Sequence, residues 1–266
     1  MFKEDFNSLS RKLRLTSGLI LFAYVLMHLS NHAVNIISIE KADFIRVNYF
    51  RGIWQNPVGL TLLYGSLIIH MLLGFYSIAI KKSFKLKGIE WVQIIFPVLA
   101  LLLLLQHILA SFIITKVFGG QETYAMIFAI MNTDPDELVV SGVLFSLMTV
   151  FIWVHGVIGI DALLKQQARN HKRFDFYVRY PFVFKFIFWF VPIAAVLGFL
   201  SGLREMSFLA YLQNIQNPGT DQSFLFGIIL KVLPQEAFPI VSQIEPLVMK
   251  YYPLFVLFLV FAGIFN

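Results

Sequence analysis

Six apolar stretches, each near the length of a membrane-spanning helix, alternate with polar stretches along this chain. They cover approximately residues 15–38, 58–80, 90–115, 139–164, 181–201 and 250–266. A helix needs about 20 mostly apolar residues to cross the hydrocarbon core of a bilayer. The pattern therefore predicts an all-α integral membrane protein with six transmembrane helices, numbered one to six in chain order.

The stretch between the fifth and sixth helices, residues 202–247, is amphipathic. Proline interrupts it at Pro218, Pro234 and Pro239. Because proline breaks helices, we expect short interfacial helices there. The whole of 1–266 is predicted to form a single membrane domain. Helices one to four form a four-helix bundle over 15–165, and helices five and six, with the amphipathic segment, pack outside it over 166–266.

Composition agrees with a membrane location and excludes several chemistries. Hydrophobic residues make up 58% of the chain and charged residues 14%, whereas a soluble domain has about 25% charged residues. The chain has no cysteine, so it carries no disulfide, no iron–sulfur cluster and no thiol chemistry. We expect membrane lipid, and not nucleic acid, to be its surroundings.

The distribution of basic residues predicts the orientation of the chain. Thirteen Lys and Arg residues fall in the N-terminal segment, the 81–88 loop and the 165–180 loop. Six fall in the alternate stretches 39–56, 116–138 and 202–247. Because Lys and Arg are enriched in cytoplasmic loops, both termini are expected in the cytoplasm. The last apolar stretch has no flanking basic residues after it, and we expect a C-terminal cytoplasmic effector domain to follow.

Histidine occurs near the middle of each of the first four apolar stretches. These residues are His28, His70, His107 and His155, and His32 lies one helical turn after His28. Ionisable side chains inside a membrane are costly and usually functional. A hydrogen-bonded core residue or a proton relay would explain one such histidine. One on each of four consecutive helices favours a shared cofactor.

Depth within the helices sorts the four histidines into two pairs. At a rise of about 1.5 Å per residue, His28 and His107 fall on the outer side of their helix midpoints, and His70 and His155 on the inner side. Two imidazoles at one level on facing helices can serve as the axial ligands of a b-type haem. The sequence therefore predicts two haem b groups. Zinc is disfavoured, because the pairs differ in depth and no carboxylate joins them.

Small residues beside these histidines are expected to leave room for a macrocycle. One turn beyond the ligands on helices two, three and four stand Gly74, Ser111 and Gly159, and Gly59 and Ser66 share the ligand face of helix two. Small residues also occur at ordinary helix contacts in membranes. The slot is therefore a weaker indication than the histidines themselves.

Polar residues near the membrane edges are candidates for binding a quinone or the haem propionates. They are Arg14, Ser17, Asn31, His32, Asp161 and Arg179. A carboxylate at Asp161 would be able to take up a proton when a quinone is reduced. An interfacial salt bridge with Arg or Lys explains the same carboxylate equally well, and the sequence leaves both open. Depth alone also leaves either His28 or His32 as the partner of His107.

The first helix resembles that of the dihaem cytochrome b membrane anchors of succinate dehydrogenases and fumarate reductases. The similarity lies in SGLILFAYVLMH, with Gly18 ten residues before His28. The ligand order, helix one with three and helix two with four, is similar to the succinate:menaquinone branch of that family. This resemblance covers about residues 14–165. It implies that His28 is the ligand and that His32 is a neighbour of the ligand or of a propionate.

A longer resemblance covers nearly the whole chain. It is carried by LRLTSGLILFAYVLMHLSNHAVNI, WQNPVGLTLLYGSLIIH, QETYAMIF, WVHGVIGID and LGFLSGLREM, which look like the N-terminal six-helix membrane domain of a group of bacterial class III adenylate cyclases. The resemblance implies a redox input in the bacterial inner membrane that senses quinone. It also implies ferredoxin-like and cyclase domains that follow, and a homodimer. The chain itself holds no nucleotide-binding or metal–carboxylate motif, so we expect no catalysis within it.

These observations predict a dihaem, quinone-responsive domain that regulates an adenylate cyclase and hence cAMP signalling. The alternative is a cytochrome b anchor subunit of a succinate dehydrogenase or fumarate reductase, which transfers electrons between haem and quinone. A third class is a transporter or structural membrane protein without a cofactor. Cyclase motifs in a longer reading frame would favour the first, a neighbouring flavoprotein the second, and a colourless purified protein the third.

Overall fold

Helices make up nearly all of the described backbone. The structure, a computed structural model, describes residues 2–81, 83, 85–112, 115, 123–133, 135–170 and 179–230. Within this part of the chain the backbone is helical or forms connecting turns, and it contains no strand. The expectation of an all-α protein is therefore confirmed for the described residues.

The described helices differ greatly in length. They are α1 (Phe2–Val34), α2 (Ile39–Ile45), α3 (Arg51–Trp54), α4 (Pro57–Ala79), α5 (Gly88–Phe112), α6 (Tyr124–Met131), α7 (Pro135–Asn170), α8 (Pro181–Gln216) and α9 (Asp221–Leu230). A π-helical turn, Arg46–Phe50, joins α2 to α3. Asn56 begins α4 by accepting the Gly59 N–H at 2.9 Å, which satisfies one of the unpaired donors of the first turn.

In the described part of the chain, five helices are long and apolar enough to cross a membrane. The qualifying segments are Asn7–Val34, Pro57–Ala79, Gly88–Leu109, Leu138–Ala168 and Pro181–Gln216. Their outer surfaces expose large apolar side chains, among them Phe182, Phe186 and Trp189 on α8. Such surfaces are expected to face lipid. These helices correspond to predicted helices one to five, and the predicted sixth helix lies outside the described residues.

Three long helices extend beyond the predicted apolar stretches. Helix α1 begins at Phe2 and α7 reaches Asn170. Helix α8 continues to Gln216, into the segment where short interfacial helices were expected. This continuation buries Leu203, Met206 and Ala210, so tertiary packing stabilises one long helix instead of several short ones. Helix α9 is a short helix from the same segment, and the part of the segment after residue 230 lies outside the described residues.

Helix α1 is central to the packing. It lies along α4 on one side and along α8 on another, while α5 packs against α7. Helix α8 also contacts α7, where the Trp153 indole N–H donates to the Phe188 carbonyl. Gly198 of α8 lies against the backbone of His32 and Ala33 of α1. This contact leaves no room for a Cβ at Gly198. The four helices that carry the histidines therefore surround one space, and α8 braces them from outside.

The two ends of this arrangement differ. One end carries the basic residues Arg11, Lys12, Arg14 and Lys81 and is called the basic end. At the other, called the capped end, α2, the π-turn, α3 and α6 fold over the helices. The hydrophobic core of the capped end is formed by α2, α6, α8 and α9 and includes Ala42, Met126, Phe128, Met206, Leu225 and Ile229.

Candidate functional site

A large cavity lies between α1, α4, α5 and α7. Its volume is about 1090 Å³, and residues of α8 complete its wall. Most of its lining is aliphatic or aromatic. The polar side chains of the lining include the five histidines of the long apolar helices, which are His28, His32, His70, His107 and His155. The cavity is therefore where the candidate ligands meet.

The histidines face one another in two pairs. Toward the capped end, the ring centroids of His28 on α1 and His107 on α5 lie 5.9 Å apart. Toward the basic end, those of His70 on α4 and His155 on α7 lie 6.1 Å apart. These are the pairs that depth within the helices predicts.

The two separations match the requirement for axial ligation. An imidazole nitrogen binds a transition metal at about 2.0–2.1 Å, so two imidazoles on opposite sides of one metal have ring centroids about 6.3 Å apart. Both observed pairs lie within about half an ångström of that distance. The helices are thus spaced suitably at both pairs, but Nε2 of His28 contacts Nε2 of His32 and has to leave it before the outer pair shares a metal.

A site for a bare metal ion is not seen. Among the described residues, no three His, Cys, Asp or Glu side chains cluster closely enough to hold such an ion. A haem iron takes four ligands from its own ring and two from the protein, so a pair of histidines is sufficient for it. The donor set therefore fits a haem better than a zinc ion.

His28 and His32 contact each other at the capped end. Their Nε2 atoms are 3.2 Å apart, so one of these nitrogens must carry a hydrogen if they bond. The ring of His28 stacks on Tyr24, with centroids 5.5 Å apart, and faces His107. The ring of His32 turns toward Tyr124, with centroids 5.1 Å apart. The geometry thus places His28 in the pair and His32 beside it.

The inner pair is supported unequally. The Nδ1 atom of His70 is 3.0 Å from the Arg14 carbonyl oxygen and 3.3 Å from the Ser17 hydroxyl. The Nδ1 atom of His155 is buried and has no hydrogen-bond partner among the described residues. Gln93 of α5 donates to the His155 backbone carbonyl at 3.1 Å.

Two of the predicted small residues leave open space in the cavity. Gly74 and Gly159 line it, and a Cβ added to either would meet nothing within 4 Å. Ser111 also lines the cavity. Gly59 has another role, because a Cβ there would collide with the backbone of Ile53 and Trp54. It allows α3 and α4 to approach closely and contributes nothing to a slot.

The membrane-edge candidates do not form one group. Arg14 lines the basic end of the cavity, whereas Ser17 is buried and donates its hydroxyl hydrogen to the Leu13 carbonyl at 2.7 Å. Asp161 forms an ion pair with Lys165 at 2.7 Å, which is the salt-bridge explanation that the sequence left open. Asp161 does not line the cavity. Arg179 is exposed and is also absent from the lining.

The last candidate, Asn31, belongs to a buried polar cluster at the capped end. Its Nδ2 donates to the Tyr124 hydroxyl at 3.1 Å, and its Oδ1 has no partner among the described residues. Asp43 of α2 accepts the backbone N–H groups of Tyr124 at 2.6 Å and Ala125 at 3.2 Å. Burial raises the pKa of Asp43, against the two hydrogen bonds and Arg46. Burial also raises the pKa of Tyr124 and keeps its phenol neutral.

Several residues that shape this site are not indicated by the sequence pattern. Asp43 holds α6 over the helices, and Phe50 lies 6.0 Å from His28 between ring centroids. Both come from the 39–56 stretch, which has no periodic relation to α1. Lys81 was counted as a determinant of orientation, but it also lines the cavity. Carboxylates are favoured at the start of helices. This preference is the one signal in the sequence that could have suggested a role for Asp43.

No family model matches this chain, and neither a curated protein nor a solved structure is significantly similar to it. The interpretation of the cavity therefore rests on its own residues. Across the described residues these findings establish a helical protein with five apolar helices suited to a membrane, and four of its histidines meet in two pairs inside one cavity.

Proposed function

We propose that the cavity binds two haem b groups, an outer one between His28 and His107 and an inner one between His70 and His155. The observation that carries this proposal is the spacing of the two pairs, at 5.9 and 6.1 Å between ring centroids. Isolated core histidines or a proton relay would not require two pairs at nearly one separation. Axial ligation does require it.

The space around the pairs supports the same ligand. The cavity of about 1090 Å³ exceeds the range of about 300–1,000 Å³ usual for a single small-molecule site. Gly74 and Gly159 leave its walls open beside His70 and His155. A bound haem supplies a one-electron redox centre whose potential depends on its axial ligands and their surroundings. The chain presents the imidazoles and excludes water with apolar side chains.

The arrangement in the membrane follows from this assignment. Helices α1, α4, α5 and α7 are the four-helix bundle, and α8 packs outside it. The sequence adds a sixth predicted span near residues 250–266, which lie outside the described residues. The basic end faces the cytoplasm, because Arg11, Lys12, Arg14 and Lys81 lie there and cytoplasmic segments are enriched in Lys and Arg.

The dihaem bundle serves as a quinone-responsive redox input to a C-terminal adenylate cyclase. The resemblance to bacterial cyclase membrane domains supports this, and it also suggests a homodimer and an intervening ferredoxin-like domain. The contacts of α8 suggest how a change would leave the bundle. Gly198 touches the backbone of His32, and Phe188 holds Trp153, two residues from His155. A change of haem charge on reduction acts strongly in a medium of low dielectric constant. It shifts the helices between two arrangements only if the haem charge interacts differently with each arrangement.

A visible spectrum of the purified protein tests the cofactor. We expect two haem b per chain, low-spin in both oxidation states, with little binding of carbon monoxide after reduction because both axial positions are filled. His171→Ala, a histidine of the basic loop outside the described residues, is the matched control and should leave the spectrum unchanged. A haem content near zero, or a high-spin iron that binds carbon monoxide readily, overturns the proposal.

A second experiment separates the sensor from the electron-transfer alternative. The full-length protein is placed in membranes poised with oxidised or reduced quinone, and cyclic AMP formation is measured. We expect the two activities to differ, and the difference to disappear in the His70→Ala variant. Equal activity with both haems present overturns the sensor function and leaves a cytochrome b anchor as the better description.

A further inference from the structure

The ring of His70 lies directly against the backbone of α1. Its Nδ1 is 3.0 Å from the carbonyl oxygen of Arg14. A carbonyl oxygen accepts hydrogen bonds and cannot donate, so Nδ1 must carry the ring hydrogen of a neutral imidazole. The lone pair is then on Nε2, the nitrogen that remains for a metal.

Ser17 strengthens this arrangement. Its hydroxyl hydrogen is directed to the carbonyl oxygens of Leu13, at 2.7 Å, and Arg14, at 3.1 Å, so the hydroxyl oxygen is left to accept. That oxygen is 3.3 Å from Nδ1 of His70, and Ser17 is 4% exposed. The Nδ1 hydrogen of His70 is thus shared between two acceptors of α1, one on the backbone and one on a side chain.

Gly18 makes the close approach possible. A Cβ at this position would lie 2.8 Å from Cε1 and 3.2 Å from Nδ1 of His70. Both atoms belong to the rigid imidazole ring, so the ring itself would have to move away from the Arg14 carbonyl. Alanine is otherwise the better helix former, and glycine here therefore serves the contact with His70.

The partner histidine has no comparable support. The Nδ1 atom of His155 is buried and lacks a hydrogen-bond partner in the described part of the chain. The Nδ1 atom of His70 therefore has two acceptors on α1, and the Nδ1 atom of His155 has none within the described residues. The asymmetry points to α1 as the element that sets the properties of the inner site.

We propose that Arg14, Ser17 and Gly18 form a positioning element that holds His70 with Nε2 toward the inner haem and increases its basicity. The inference rests on the proposed haem function. An acceptor on Nδ1 makes an imidazole a stronger donor to its metal, which favours the oxidised iron. The midpoint potential of the inner haem is consequently lower than it would be without this contact.

The test is a redox titration of purified protein, followed by optical and electron paramagnetic resonance spectra that resolve the two haems. Gly18→Ala is expected to raise the midpoint potential of the inner haem and shift its low-spin signal, or to lower its occupancy by about tenfold or more. Ser17→Ala, which leaves the Arg14 carbonyl, should give a smaller shift in the same direction. The outer haem should be unchanged in both variants.

Gly65→Ala is the matched control, because Gly65 lies in the middle of α4 and an added Cβ meets nothing within 4 Å. It should leave both haems as in the wild type. An unchanged inner haem in both Gly18→Ala and Ser17→Ala overturns this inference while the haem proposal stands. If Gly18→Ala loses both haems by misfolding, the potential of Ser17→Ala decides. A wild-type protein without haem overturns the proposed function itself.

Discussion

The two ends of the cavity hold their histidine pairs by different means. At the basic end, the α1 backbone fixes the ring of His70 through the Arg14 carbonyl. At the capped end, His28 is surrounded by rings, with Tyr24 stacked at 5.5 Å and His32 at 4.6 Å between centroids. The His70 ring is thus held by the main chain of α1, whereas the His28 ring is held by neighbouring rings, one of which, His32, it also contacts through Nε2.

This difference indicates that the two sites respond differently to change. A hydrogen bond to the main chain defines both the tautomer and the direction of a ring. Packing defines the direction alone, and the Nε2 contact between His28 and His32 must break before that Nε2 binds a metal. In the proposed dihaem arrangement the inner pair is therefore preorganised, whereas the outer pair has to exchange one contact for another.

Removing a ligand should have the largest effect. We expect His70→Ala or His155→Ala to abolish the inner low-spin haem signal and to spare most of the outer one. His28→Ala or His107→Ala should do the reverse, because each iron loses one of two protein ligands. Low-temperature spectra and haem content per chain measure the losses.

The comparison of the two ends depends on this pairing. Loss of the same spectral component in His70→Ala and His107→Ala would show that the ligands pair differently from the ring contacts.

The second prediction separates His28 from His32. We expect His28→Ala to lose the outer haem and His32→Ala to keep both, with a shifted outer signal, because the ring of His28 is the one that contacts His107. Spectra of the two variants at equal protein concentration are the measurement. If His32→Ala loses a haem and His28→Ala keeps two, the ligand on α1 lies one turn further along.

A smaller effect is expected at the capped end, from Asp43→Ala. The two backbone N–H groups at the start of α6 would lose their acceptor, at a cost of about 1–3 kcal/mol in the free energy of unfolding. Thermal unfolding in detergent measures it. Glu40→Ala, an exposed acidic residue of the same helix, is the control. Equal unfolding temperatures for both variants would mean that Asp43 does not hold α6.

The same carboxyl group predicts a dependence on pH. Burial raises the pKa of folded Asp43 above its ordinary value of 3.8, so its protonated form is favoured in the folded state. The stabilisation from protonation is present below pH 3.8 and is lost as the pH rises through the raised pKa. Asp43→Asn should lack this loss. A wild type and variant that differ equally at all pH values would contradict it.

The smallest effect is expected for Asp161→Asn. Its ion pair with Lys165 is partly exposed and spans one helical turn, so its loss costs about 0.3–0.5 kcal/mol. Reduction of the inner haem by added quinol should proceed at the wild-type rate. A large loss of rate would instead assign Asp161 the proton-uptake role. The functional part of the basic end would then include a residue that does not line the cavity.

Much of this protein follows from its sequence alone. Runs of apolar residues near the length of a bilayer predict the long helices, and the structure has five of them. Depth along a helix is also a local property, because the rise per residue is constant. Depth was therefore enough to predict that His28 lies level with His107 and His70 with His155. Ligation of haem by these pairs stays a prediction.

Tertiary structure decided what lies around each histidine. The Arg14 carbonyl at His70 and the Asp43 cap on α6 join residues far apart in the chain. Such contacts depend on how the helices are rotated and how closely they approach, which local periodicity does not specify. The continuation of α8 to Gln216 has the same origin, since it is buried against α6 and α9 and ends only just before Pro218. The sequence by itself determined five of the long helices and the depth of their histidines, and packing determined which ring each histidine faces and what holds it.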